Sequence, residues 1–159
     1  MDRFAVLPAS EKAAYFEMTA ANLGISPELI EKDFWVCWIL KQLFSLEDFG
    51  VHITFKGGTS LSKCYNAIQR FSEDIDIAIE RKYLEHGKSM DPSTDESNKE
   101  NKRRIEELLA SAQAAIHKKI LPGLRQKAVD VFGKNDQWAI ERTFWEKAMV
   151  GNLGPGRDI

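Results

Sequence analysis

The sequence predicts an α/β (α+β) fold that is rich in helix, with a small sheet flanked by helices. Two kinds of periodicity support this prediction. Apolar residues recur at helical spacing in 10–23, 27–44 and 105–116, whereas 71–79 alternates between apolar and polar residues as a strand does. A short β-branched run at 51–55 supplies a second strand. The length of 159 residues suits a single domain with its own core.

The chain is expected to form one domain over residues 1–150, followed by a flexible, glycine-rich tail at 151–159. Within that domain, 10–47 is predicted to be an N-terminal pair of helices. A strand–helix–strand unit follows at 51–80, and 98–150 forms a helical C-terminal part.

Capping residues set the expected helix ends. Ser10 is the predicted N-cap of the first helix, and Gly24 is placed to end it. Ser26 then caps the second helix, with Pro27 at its first position. Pro122 is expected to end the long helix that starts near residue 98.

Composition excludes several classes of protein. Because 22 Lys and Arg face 24 Asp and Glu, the net charge is −2, which excludes a globally basic nucleic-acid binder. Hydrophobic residues make up 43% of the chain, which excludes wholesale disorder. No run approaches the roughly 18 apolar residues of a membrane span, and no signal peptide is evident, so we expect a cytoplasmic protein without a membrane partner. Cys37 and Cys64 lack metal-binding spacing, and each is expected to be a small buried hydrophobe.

One segment carries the chemistry: a strand that ends in Gly57-Gly58-Thr59-Ser60, followed by a short helix and then a strand. Two glycines at a strand-to-helix turn let a phosphate approach the backbone without interference from Cβ atoms. The free N–H groups of the following turn and the hydroxyls of Thr59 and Ser60 favour an anion there. This segment therefore predicts a cradle for the triphosphate of a nucleotide.

The second strand of that unit carries Asp74 and Asp76. Residues i and i+2 of a strand share a face, so the two carboxylates can together coordinate one or two Mg²⁺ ions. A triphosphate cradle beside a pair of carboxylates is typical of nucleotidyl transfer. Each feature alone is common in turns and solvated strand edges, and it is their order and spacing that indicate a nucleotide and metal site.

Four stretches closely resemble the nucleotidyltransferase toxins of the AbiEii/AbiGii type: 55–63 (FKGGTSLSK), 70–77 (RFSEDIDI), 31–36 (EKDFWV) and 141–148 (ERTFWEKA). The resemblance implies a polymerase-β-like nucleotidyltransferase core with a small mixed sheet. It also implies a toxin of the type IV toxin–antitoxin or abortive-infection kind, associated with phage defence. NTP and Mg²⁺ would be its ligands, an RNA (by analogy tRNA) its acceptor, and a DNA-binding antitoxin its genetic partner. Nothing indicates an oligomeric state.

The resemblance assigns roles to individual residues of this chain. The triphosphate would be held by Gly57, Gly58, Thr59 and Ser60, and the metal ions by the catalytic pair Asp74 and Asp76. Lys147 resembles the family's phosphate-facing lysine; the alternative is a solvated helix lysine. Lys63 lies on the helix after the glycines, where it either reaches a phosphate or is an ordinary surface lysine.

The sequence departs from the family pattern in its back half. Members are usually considerably longer and carry further strands there, one of which supplies a third acidic residue, so the resemblance implies a shortened chain. Asp130, within a strand-like run, is the candidate for that third carboxylate, and no general base is evident. The alternative function is a non-catalytic module that binds nucleotide or a partner protein.

A local excess of positive charge lies at 99–127, where eight Lys and Arg face three Glu. Such a helix face either lies along an RNA backbone or is a solvated face with ion pairs between successive turns.

Overall fold

The computed structural model describes residues 1–65, 74–84 and 97–134, and helix dominates these ranges as predicted. In chain order the elements are α1 (Asp2–Ala5), α2 (Ala9–Leu23), α3 (Pro27–Phe44), a 3₁₀ turn (Gly50–His52), β1 (Ile53–Lys56), α4 (Gly57–Lys63), β2 (Asp76–Ile79), α5 (Arg81–Leu84), α6 (Asn98–Ala115), a π-helical turn (Ile116–Ile120) and α7 (Leu121–Phe132). None of the helices in these ranges is long and apolar enough to cross a membrane.

The junction between α2 and α3 forms as its capping residues predict. Gly24 ends α2 in the left-handed conformation, with φ of 68°. The Ser26 hydroxyl then accepts a hydrogen bond from the backbone N–H of Leu29 at 3.4 Å, and Pro27 begins α3. The prediction for the start of α2 was wrong: Pro8, in an extended conformation, precedes the helix, and Ser10 already lies in its first turn.

In the described ranges the sheet consists of β1 and β2, which pair antiparallel with Ile53 opposite Ile79 and Lys56 opposite Asp76. Both strands are four residues long. The first strand was expected at 51–55, but 50–52 forms a 3₁₀ turn and β1 ends only at Lys56. The predicted strand at 71–79 is present over its last four residues, while 71–73 lie outside the described residues.

The main core lies between the end of α3, the sheet, the π-helical turn and α7. Its buried members come from these four elements and, in the case of Phe49, from the segment before the 3₁₀ turn: Leu43, Phe49, Ile53, Ile116, Ile120, Leu121 and Leu124. Ile75, Ile77 and Ile79 pack against this core, so the predicted alternation along the second strand is confirmed. One face of the sheet is therefore anchored, and the opposite face carries the polar residues.

A second cluster holds the N-terminal helices together. Trp38 and Ala5 are buried there against Ala128, with Phe132 packed beside them. The carboxylate of Asp2 accepts hydrogen bonds from the Trp38 indole at 3.0 Å and the Gln42 amide at 3.1 Å, and also pairs with Lys41. Asp2 thereby fastens α1 to α3.

Three further expectations need correction. Pro122 does not end the long helix; it lies in the first turn of α7, directly after the π-helical turn that joins α7 to α6. Asp130 lies on α7 rather than on a strand, is exposed, and accepts a hydrogen bond from Gln126 at 2.7 Å. Among the thiols, Cys64 is exposed and Cys37 only half-buried, so the expectation that both are buried was wrong.

Candidate active site

The candidate site lies where β1 runs into α4 beside the start of β2. Gly57 begins α4 with φ of 75°, a conformation that residues with a Cβ atom adopt at a cost. A Cβ added to Gly57 would lie 2.0 Å from Oδ2 of Asp76 and 2.7 Å from its Cγ. Position 57 therefore has to be glycine for the turn and the Asp76 carboxylate to be this close together.

Thr59 connects the turn to the other aspartate. Its side chain is buried, with 1% of the residue exposed, and its Oγ1 donates a hydrogen bond to the backbone carbonyl of Asp74 at 2.5 Å. The hydroxyl of Ser60, also buried, donates to the carbonyl of Gly57 at 2.9 Å. Both hydroxyls therefore hold the site's backbone in place, a role that sequence reasoning missed because a glycine-rich turn gives no sign of which way its hydroxyls point.

Asp76, the first residue of β2, projects from the face of the sheet away from the core, because Ile77 and Ile79 pack against the core. Asp74 lies two residues before β2, so the prediction that the strand carries both aspartates is wrong for Asp74. Asp74 is exposed and Asp76 is half-buried at the first position of β2. Two carboxylates supply the hard oxygen ligands that Mg²⁺ prefers, and Mg²⁺ commonly completes its shell with phosphate oxygens and water. The donor set therefore fits the metal. No cluster of three or more His, Cys, Asp and Glu side chains occurs in 1–65, 74–84 or 97–134.

Comparison with known protein families shows which family the chain belongs to. Residues 38–141, more than half of the chain, match the family described as nucleotidyl transferase AbiEii toxin, type IV TA system. The chain belongs to this family. The match spans the Gly57 turn, both aspartates, and α6 and α7. No curated protein and no solved structure matches the chain. Membership of the AbiEii family implies a nucleotide substrate and a cognate antitoxin.

Lys63, the lysine expected near a phosphate, is held by another motif of the AbiEii resemblance. Its ammonium donates to the carboxylate of Asp33 on α3, and only 19% of its side chain is exposed. Burial by itself lowers the pKa of Lys63, but hydrogen bonding to Asp33 and the proximity of Cys37 outweigh it, so the pKa lies above its ordinary value. Lys63 thus joins α4 to α3.

Lys147, the phosphate-facing candidate of the AbiEii resemblance, lies outside the described residues, as does the whole stretch from 135 to 159. A lysine that sequence reasoning did not single out stands at the turn instead. Lys56, the last residue of β1, is exposed and lies directly opposite Asp76. The signal was available in the sequence, since Lys56 directly precedes the glycine pair.

Two basic residues of α6, Arg103 and Arg104, are engaged within their own helix. Arg103 pairs with both Glu100 and Glu107, and Arg104 lies 3.6 Å from Glu100. Hydrogen bonding to Arg103 lowers the pKa of Glu100, and the same contact raises the pKa of Arg103. For these arginines the structure has the pairing of a solvated helix face, the second of the two alternatives that the sequence leaves open.

Proposed function

We propose that this AbiEii-family chain is a Mg²⁺-dependent nucleotidyltransferase with a polymerase-β-like core, the toxin of a toxin–antitoxin or phage-defence system. It would act in the cytoplasm and transfer an NMP from an NTP to an RNA acceptor, with tRNA as the expected one. The observation that supports this most is the contact between the glycine turn and the segment that carries both aspartates. Gly57 lies against the Asp76 carboxylate, and Thr59 Oγ1 donates to the backbone carbonyl of Asp74.

In this proposal the glycine turn holds the triphosphate. Phosphate oxygens would accept hydrogen bonds from the backbone N–H groups of 57–60, and Gly58, which has no Cβ, would let them approach. The space beside Gly57 is taken by the Asp76 carboxylate, so Gly57 serves to bring that carboxylate against the turn. The hydroxyls of Thr59 and Ser60 keep that backbone in place, since they already donate to carbonyls of Asp74 and Gly57. Lys63 would support the same helix through Asp33.

Asp74 and Asp76 would hold Mg²⁺ beside the triphosphate. The metal ion, when bound, would offset the charge of the phosphates and stabilise the attacking and leaving oxygens. An RNA hydroxyl oxygen would then form a bond to the α-phosphorus of the NTP and release its proton to solvent, while the bond from the α-phosphorus to the bridging oxygen breaks and pyrophosphate leaves. Lys147 would face the phosphates, as the resemblance implies.

Transfer of labelled nucleotide tests this proposal. Incubation of the chain with labelled NTPs, Mg²⁺ and total tRNA should give labelled RNA, and D74A and D76A should each abolish it, because each removes a metal ligand. Asp48→Asn serves as a matched control: Asp48 is exposed and lies at φ of 60°, which asparagine tolerates, so labelling should persist. Absence of labelling, or labelling that survives D74A and D76A, would overturn the assignment.

The second candidate function is a non-catalytic module that binds nucleotide or a partner protein. It is favoured by one observation: within 1–65, 74–84 and 97–134, Asp74 and Asp76 have no third metal-binding side chain grouped with them. Such a module would bind NTP without forming a transfer product, so the labelling experiment separates the two candidates when it is combined with a binding measurement.

A further inference from the structure

We propose that Lys56 binds the triphosphate at the Gly57–Gly58 turn and is a further substrate-binding residue of this site. The inference rests on the proposed nucleotidyltransferase function and adds to it a residue that neither motif reading nor family membership assigns. It starts from the position of Lys56, which ends β1 and immediately precedes Gly57.

The strand register puts Lys56 on the face of the sheet that carries the carboxylates. Lys56 lies directly opposite Asp76 in an antiparallel pair, and side chains of directly opposed residues project from the same face with Cβ atoms about 4.5–5.5 Å apart. The neighbouring pair, Phe55 and Ile77, belongs to the other face, where Ile77 packs against the core. Lys56 and Asp76 therefore both border the place where a metal-bound triphosphate would lie.

Lys56 is also available to a ligand. It is exposed, and in the part of the chain that the structure describes it makes no hydrogen bond or ion pair, even with Asp76 opposite. Other lysines of the same ranges are engaged: Lys63 with Asp33, Lys41 with Asp2, and Lys119 with the hydroxyl of Tyr83. The ammonium nearest to the glycine turn in sequence thus has no competing partner within residues 1–65, 74–84 and 97–134.

The charges of the site favour this role. The phosphates of an NTP bring more negative charge than one divalent ion offsets, and a lysine ammonium is a common point-charge partner for phosphate. The register with Asp76 and the turn at Gly57 fix the backbone of Lys56 beside the site. Its flexible side chain can then place the ammonium against the phosphates. The alternative role is that of a solvated lysine that prevents an exposed strand from pairing with another chain.

The test compares Lys56→Met and Lys56→Arg with Lys82→Met, a matched control at an exposed lysine on α5. We expect K56M to raise the KM for NTP and the Kd for Mg²⁺–NTP by about 10- to 100-fold, the scale of one charge-assisted hydrogen bond. The KM for RNA should stay unchanged. K56R keeps the charge and should recover most of the loss, while K82M should match the wild type in every measurement.

The possible outcomes separate the role of Lys56 from the proposed reaction. Unchanged KM and Kd in K56M would overturn the role of Lys56 even if the wild type transfers nucleotide. Binding without transfer by the wild type would overturn the proposed reaction, while the Kd of K56M would still decide whether Lys56 contacts the triphosphate. A wild type that neither binds nor transfers would overturn both. Thermal unfolding of K56M without ligand should match the wild type, because Lys56 is exposed and unpaired in the described ranges.

Discussion

At the scale of single residues, Gly57 is the position where the glycine turn comes closest to the Asp76 carboxylate. Gly57→Ala would introduce strain at φ of 75° and also place a Cβ 2.0 Å from Oδ2 of Asp76. We expect a loss of roughly 2–3 kcal/mol in the free energy of unfolding, from backbone strain and displacement of Asp76 together. Urea unfolding measures that loss, and Mg²⁺–NTP binding should weaken because Asp76 is moved.

Gly24→Ala is the matched control for that substitution. Gly24 has nearly the same φ, 68°, but nothing lies within 4 Å of an added Cβ. It should therefore lose only the strain energy, on the order of 1 kcal/mol, and keep normal affinity for Mg²⁺–NTP. If G57A bound the ligand as tightly as G24A, contact between position 57 and Asp76 would not matter to the site.

The sequence predicted which residues lie close together at the candidate site better than it predicted their contacts. It identified Gly57 and Asp76 as members of one site, because glycine pairs and alternating carboxylates are local patterns. Such local patterns could not distinguish the role of Lys56 from that of Lys63, because a lysine's role depends on its partners. The partner of Lys63 is Asp33, thirty positions earlier in the chain, and only the tertiary fold brings the two together.

At the scale of the elements, the pair of Asp33 and Lys63 is the link that sets α4 against α3. Removing either partner leaves the other as a partly buried, unpaired charge. We expect D33N and K63M each to lower the free energy of unfolding by about 1–2 kcal/mol, and the double variant to lose less than the sum. Urea unfolding of the four proteins measures a coupling of roughly 1 kcal/mol.

The same pair gives a pH dependence of known sign. The pKa of Lys63 is raised in the folded state, so its stabilising contribution is fully present below its ordinary value of 10.5 and is lost as pH rises through the folded value. D33N should reduce that alkaline loss. Arg103→Met, which removes an exposed pair within α6, should cost less stability than K63M. Additive effects of D33N and K63M would contradict the coupling.

Element boundaries were the least predictable part of the fold. The run 128–132 (AVDVF) is β-branched and reads as a strand, yet it is the end of α7, where Leu124 and Ala128 are buried on one helix face. Tertiary packing overrides local strand preference there. The prediction that Pro122 ends a helix failed for a similar reason. The rule that proline ends a helix does not anticipate a π-helical turn that ends two residues before it.

At the scale of the whole molecule, the candidate site depends on the main core through one face of a short sheet. Ile77 and Ile79 pack against buried residues of α3 and of the π-helical turn, including Leu43 and Ile120. The sequence predicted this arrangement in outline, because alternation along 75–79 assigns one face to the core. It could not predict that α3 and α7 supply the rest of the core, since those contacts join segments about 80 residues apart.

Ligand binding should therefore be reported by the stability of the whole chain. A ligand that binds only the folded state adds about 2.7 kcal/mol at 100 times its Kd, enough to raise the melting temperature by roughly 5–10 °C. We expect that rise with Mg²⁺ and NTP together in a thermal unfolding experiment. D74N and D76N should abolish it, because they remove metal ligands from the face beside the glycine turn.

Without ligand, D76N should not lose stability. Asp76 lies at the first position of β2, and replacing its carboxylate removes repulsion between two like charges close in sequence, which favours the folded state. Unliganded D76N should then melt at or above the wild-type temperature while its response to Mg²⁺–NTP is lost. Melting well below the wild type would instead make the Asp76 carboxylate structural, and a preserved ligand response would place nucleotide binding elsewhere in the chain.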